Sequence, residues 1–189
     1  MKKFIVTLLV ALCGAVSLFA GDAEDIKALL IKDLELGASG DFMEELALRT
    51  PDYVEISPTG TINYEQAKWM FLALDGEHPE EFFLASLALG SHGEFKAPTA
   101  EMMARIRAVT SNPNFLREYK EVAAKTLAAV KADQELQLKT LKIVSVEVGG
   151  DSATARIELD SNNKHHVGTI SLRKIGGKWM FSKSVFEYK

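Results

Sequence analysis

The sequence predicts an α+β domain, with N-terminal helices packed on a curved antiparallel sheet and extra helices inserted before the main sheet. Three observations predict it. Apolar residues recur every three to four positions as far as residue 133, then alternate singly to the C-terminus. Gly-Gly pairs at Gly149 and Gly176 and the run "DSNNK" fall between the alternating stretches, as tight turns between neighbouring strands do. One short alternating stretch, "YVEI", stands early in the chain, ahead of "SPTG", where Pro58 presets φ and Gly60 tolerates a positive one. Helices followed by an antiparallel meander is the order of a two-layer domain.

In chain order, Lys2 and Lys3 precede an uncharged apolar run over residues 4–20, which then gives way to "GDAED". A basic start, a short apolar stretch and small residues at its end read as a secretory leader, and the run falls short of the roughly 20 residues that a spanning helix needs. The expected organisation is a signal peptide over 1–20, with cleavage as late as 23, and a single domain over 24–189 that carries a helical insertion at about 77–133. Cys13, the sole cysteine, lies in the leader, and Leu12 before it is not the small residue that lipidation requires. A processed chain then has no thiol, which excludes disulfides, thiolate nucleophiles and cysteine-ligated metals. The expected compartment is periplasmic or secreted, with no membrane association once the leader is removed. About 165 remaining residues suffice for a core without staples.

The net charge of −4 falls to about −6 without Lys2 and Lys3, and no Lys/Arg cluster interleaves with aromatics. Nucleic acid is therefore not an expected partner. The first helix places Ile26, Leu29, Leu30, Asp33 and Leu34 at helical spacing, with Gly37 as its stop. Asp41 and Glu44 have capping-box spacing before "FMEELALR". Asn63 caps a helix over 64–74 that is apolar on almost every side and so predicted to be buried. Pro79, Thr99 or Ala100, and Asn112–Pro113 open three further helices, the last running to about 133 with Phe115, Tyr119, Val122, Leu127 and Val130 near one stripe. Residues 138–142 change phase, which predicts a bend or bulge in a long strand. Val144, Val146 and Val148 then share a face, as do Ala153, Ala155, Ile157 and Leu159.

This pattern resembles the NTF2-like superfamily, the cone-shaped fold shared by SnoaL-like polyketide cyclases and ketosteroid isomerases. The stretch "PDYVEISPTGTINYEQAKWM" is similar to that family's first hairpin and third helix, and "GDSATARIEL…GTISLRKIGGKWMFSKS" to its closing strands. The resemblance implies a cavity lined on one side by residues 49–70, and a function that ranges over catalysis, ligand binding and protein association.

The expected wall of such a cone is Tyr53 and Glu55 from the short strand, Tyr64 and Trp69 from the third helix, and Trp179 and Phe181 from the last strand. Asp52, Glu55 and Tyr64 form a candidate acid/base set, since proton abstraction beside a carbonyl needs a carboxylate and a hydroxyl donor. The competing reading is a turn-capping Asp52 and a solvated Glu55, so no catalytic residue is assigned and enzymatic activity stays open. His165 and His166 are adjacent on a strand and point to opposite faces, and His78 and His92 have no partner at ligand spacing, so neither a metal nor a cofactor is expected. The favoured function is an exported module that binds a small, partly apolar ligand. The alternatives are a cyclase-, isomerase- or dehydratase-type enzyme and a dimerising association module. A homodimer is expected from the last strand, where Trp179 and Phe181 oppose Met180, Phe186 and Tyr188, because a sheet apolar on both faces needs two covers.

Overall fold

The computed structural model describes the backbone of residues 2–90 and 97–189, and side chains from Gly21 onward except those of Leu89 and residues 91–96. The side chains of the expected leader over 1–20, Cys13 among them, and His92 lie outside the described residues. In chain order the elements are α1 (Lys2–Ser39), α2 (Phe42–Leu46), β1 (Arg49–Ser57), β2 (Gly60–Asn63), α3 (Tyr64–Ala73), α4 (Pro79–Gly90), α5 (Ala100–Thr110), α6 (Pro113–Thr140), β3 (Lys142–Gly149), β4 (Ser152–Ser161), β5 (Lys164–Ile175) and β6 (Lys178–Tyr188). The α+β architecture read from the sequence is the one observed. Among the described residues no helix is long and apolar enough to cross a membrane.

The strands form one open sheet in the order β2-β1-β6-β5-β4-β3. Neighbours pair antiparallel except β1 and β6, which run parallel. The turns follow the sequence chemistry: Asn162 and Asn163 take φ of 50° and 60°, and Gly176 and Gly177 take 57° and 79°. Both central residues in the left-handed region is the two-residue hairpin turn whose twist matches that of the strands it joins.

The local cues at α3 and α5 act as expected. Asn63 and Gln66 form a reciprocal capping box, at 3.0 and 2.9 Å, and the Thr99 side chain accepts from the Met102 N–H. Asp41 does not cap α2; it accepts from Ser39 Oγ instead. Helix α1 runs through Gly37 and closes at Gly40, whose φ of +92° suits a residue without Cβ. The apolar residues of α3 are mostly half-buried rather than enclosed, because one side of this helix borders an open space. Val122, placed on the α6 stripe, is exposed, while Tyr119 and Ala123 are buried.

The longest departure concerns α6. It continues seven residues past 133, through the stretch expected to begin a strand. Asp133 explains the continuation. Its carboxylate accepts from Ser161 Oγ (2.7 Å), the Asn162 N–H (2.8 Å) and Gln137 Nε2 (2.8 Å), while Thr140 Oγ1 accepts from the Asp160 N–H. The last turns of the helix are thereby tied to the β4–β5 turn, and this tertiary fastening outweighs the strand-like alternation of Leu136 and Leu138. Helix α4 packs against α6 through Phe82 and Tyr119 (ring centroids 5.3 Å apart), and Tyr119 OH donates to the Ala73 carbonyl. Within the stretch expected as an insertion, α4 and α6 thus pack on each other.

Two bulges correct the strand parity. In β3, Ile143 pairs with Ile157 and Ser145 with Arg156, so Val144 is the extra residue and is exposed rather than sharing a face with Val146 and Val148. In β6, Phe181 pairs with Leu172 and Lys183 with Ser171, leaving Ser182 extra. Beyond it Ser184, Phe186 and Tyr188 sit opposite Ile170, Gly168 and His166, on the same face as Phe181. Phe186 and Tyr188 therefore do not oppose Trp179 and Phe181, and the two-faced apolar strand that motivated the homodimer is not present.

The core gathers Ile26 and Leu30 of α1 against Ala155, Ile157, Leu172, Trp179 and Phe181 of the sheet. Each fully buried large aliphatic contributes roughly 1.5–3 kcal/mol relative to exposure.

Candidate functional site

Bordering that core, α3, α4 and α6 and the sheet enclose a cavity of about 760 Å³. Its helical wall combines a stripe along α3 and its C-cap (Ala67, Met70, Phe71 and Leu74, at i, i+3, i+4 and i+7) with Phe82 and Ala85 of α4 and Ala123 and Val130 of α6. Its floor includes Ile157, Ile170, Phe181 and Phe186. Gly168 is what admits Phe186: a Cβ there would lie 2.8 Å from the Phe186 ring and 2.9 Å from Ile157. At the mouth, Lys164 Nζ lies 4.0 Å above the Tyr188 ring and His166 meets the same ring edge-on at 5.0 Å.

One region of the wall is polar. Arg49, at the start of β1, is buried, and three aromatic rings (Tyr53, Phe71, Phe181) surround its guanidinium at 5.3–5.9 Å. Its Nη1 lies 3.0 Å from Asp33 Oδ1 of α1 and donates to the Glu45 carbonyl at 2.7 Å. Its Nη2 donates to Glu45 Oε1 of α2 at 2.8 Å. Four residues along the same strand, Tyr53 OH donates to Ser184 Oγ at 2.9 Å, with Glu55 Oε2 at 3.2 Å. The β6 bulge is what turns Ser184 to this face.

Two carboxyls thus share one guanidinium, with a third, Glu55, close by, and the electrostatics follow. Burial, reinforced by the facing Asp33, pushes Glu45 up to about 8. Burial likewise raises Asp33 and Glu55, in each case against the lowering effect of Arg49. Burial raises Tyr53 too, with the Glu55 charge adding to it, so its phenol is a donor throughout the ordinary pH range. For Arg49, burial alone would lower the guanidinium, but Asp33, Tyr53 and Glu45 raise it above its ordinary value.

Of the residues expected on the wall, Tyr53, Glu55 and Phe181 line the cavity. Tyr64 is half-buried against the core at the start of α3. Trp69 lies off the α3 stripe that faces the cavity. Trp179 belongs to the closed end, where its Nε1 donates to Asp22 Oδ1 at 3.1 Å beside Lys174 Nζ at 2.5 Å. Asp52 points away from the cavity and pairs with Arg173. The proposed Asp52–Glu55–Tyr64 set is therefore not assembled, because Asp52 and Glu55 sit on opposite faces of one strand. His165 pairs with Asp160 at 2.8 Å, and no group of three His, Cys, Asp or Glu among the described residues could hold a metal.

Asp33, Glu45, Arg49, Ser184, Phe186 and Tyr188 were not expected on the wall. Asp33 did carry a signal, since an acid stood in the apolar stripe of α1. Glu45 and Arg49 stand four apart, like an ordinary surface pair, and nothing in the sequence marks them as buried.

No family model matches the chain, and no curated protein matches it. Solved structures similar to it include an NTF2-like protein of unknown function from Silicibacter pomeroyi, at 13% identity and TM-score 0.45, covering 88% of this chain and 94% of that one. Another is an NTF2-like protein with a cystatin-like fold from Novosphingobium aromaticivorans, at 14% identity and TM-score 0.45, covering 91% and 85%. A third, an NTF2-like protein of unknown function from Pseudomonas putida, has 10% identity and TM-score 0.44, covering 89% and 87%.

Proposed function

We propose that this chain, NTF2-like in fold, binds a small, partly apolar molecule in its cone. The observation that carries the reading is the cavity itself: about 760 Å³, walled mostly by aliphatic and aromatic side chains, with Tyr53, Glu55 and Ser184 as a compact polar group. That volume and make-up are those of small-molecule sites. An association module with an interior filled by side chains is less well supported, since this interior is open. The leader pattern over residues 1–20 supports an exported protein, which fractionation tests: full-length, unprocessed chain retained in the cytoplasm overturns it.

Native mass spectrometry of protein purified from its own compartment tests the binding reading. Wild-type protein is expected to carry a bound small molecule, and Glu55→Gln to carry less while folding normally. Empty wild-type protein that also takes up no apolar probe rejects the reading. One contact favours a second reading: a phenol beside a carboxyl, Tyr53 and Glu55, is an arrangement suited to moving a proton next to a carbonyl. An enzyme of that kind loses turnover in both Tyr53→Phe and Glu55→Gln while the ligand is still retained.

A further inference from the structure

The polar end of the cavity is not balanced in charge. Asp33, Glu45 and Glu55 all line it, and among the described residues Arg49 is the cation beside them. Both terminal nitrogens of Arg49 are already engaged, and the side chain is 9% exposed, so it presents little to an incoming group. Glu45 is 2% exposed and bonded to Arg49. Asp33 and Glu55 differ from it. The Asp33 side chain keeps 20% of its surface accessible although Oδ1 is shut off, so its accessible edge is the one turned from Arg49. Glu55 is half-buried on the wall, with its phenol partner on one oxygen only. Among the described residues the cavity therefore offers two reachable carboxyls and no reachable cation at its inner end. Lys164 and His166 stand at the mouth, against Tyr188.

A buried carboxylate without a countercharge is unfavourable, and one guanidinium compensates one carboxylate. An occupant that brings a positive charge lets a further carboxyl ionise at little cost. An anion placed there meets like charge, and a neutral occupant leaves the imbalance as it was.

We propose that the occupant is a lipophilic cation, an amine or quaternary ammonium whose head lies between Asp33 and Glu55 and whose apolar body rests on Phe71, Phe181 and Phe186. This rests on the reading of the cavity as a small-molecule site, and the two can fail separately. A matched series separates them: decyltrimethylammonium, decanol and decanoate, each displacing the neutral fluorophore N-phenyl-1-naphthylamine from full-length folded protein at neutral pH. The fluorophore is expected to bind, the ammonium to displace it at about tenfold lower concentration than the alcohol, and the carboxylate to be weakest. Glu55→Gln is expected to shrink the ammonium-to-alcohol ratio severalfold. An alcohol as potent as the ammonium, or a carboxylate more potent than either, overturns the proposal while leaving the cavity reading intact. Failure of the fluorophore and of all three competitors to bind overturns both. The wild-type series decides the matter by itself if Glu55→Gln proves unfolded.

Discussion

Between Ile26 and Trp179 the helix and the sheet close on each other; between Phe71 and Phe186 they stand apart. Both ends are two-layer and both are built mainly of aliphatic and aromatic residues. At the closed end α1 lies on the sheet, and Ile26 shares one buried cluster with Ala155, Leu172 and Trp179. At the open end Phe181 and Phe186 face the cavity, and the end of α6 is tied to the β4–β5 turn by hydrogen bonds. The difference teaches that here a cavity depends less on polarity than on which apolar sizes face each other, and that the polar residues gather where the two regimes meet, at Arg49.

Four substitutions act on the two ends unequally, in falling order of effect. Arg49→Met removes the cation at the junction and leaves Asp33 and Glu45 facing each other; a loss of about 3–5 kcal/mol in chemical denaturation is expected, with both ends affected. Leu172→Ala opens a hole at the closed end and is expected to cost about 3 kcal/mol without altering fluorophore binding at the open end. Gly168→Ala reverses that pattern. Its Cβ drives the Phe186 ring into the cavity, so a modest loss of about 1–2 kcal/mol accompanies a marked loss of fluorophore affinity, read by titration. A G168A variant that binds as wild type would mean that Phe186 is not part of the working wall.

The smallest effect carries a sign. Glu45 has its folded-state value raised from the ordinary 4.5 to about 8. Between these values the folded chain holds a proton that the unfolded chain has released, so stability is full below about pH 4.5 and falls as pH rises through about 8. Asp33 and Glu55 are shifted in the same direction. Glu45→Gln, which keeps a neutral acceptor for Arg49, is expected to match wild type near pH 5, to exceed it by about 1 kcal/mol above pH 8, and to flatten the decline of denaturation midpoint with pH. An unchanged slope would show Glu45 ionised throughout.

The same contrast explains what could be read in advance. Tight turns, the Asn63–Gln66 box and the alternation of β4 are local chemistry, and each stood as written in the sequence. Tyr53, Glu55 and Phe181 could be placed because strand parity is local too. Trp69 could not, since a helix apolar all round gives no sign of which stripe faces a space. The end of α6 was hidden because its anchor, Ser161 and Asn162, lies more than twenty residues away. Arg49 and its two acids come from three elements, and only their meeting in space makes them a cluster.

The extra residue in β6 has a further consequence, one for how such cones diversify. With Ser182 in place, the wall receives Ser184, Phe186 and Tyr188. Were Ser182 paired as an ordinary strand residue instead, the strand beyond it would turn over, and Lys183, Val185 and Glu187 would face inward. Smoothing that one bulge would exchange three wall residues at once, including the hydroxyl that Tyr53 meets, with no substitution anywhere. Position-by-position comparison of two such sequences would register no change and miss that the chemistry of the interior had been rewritten.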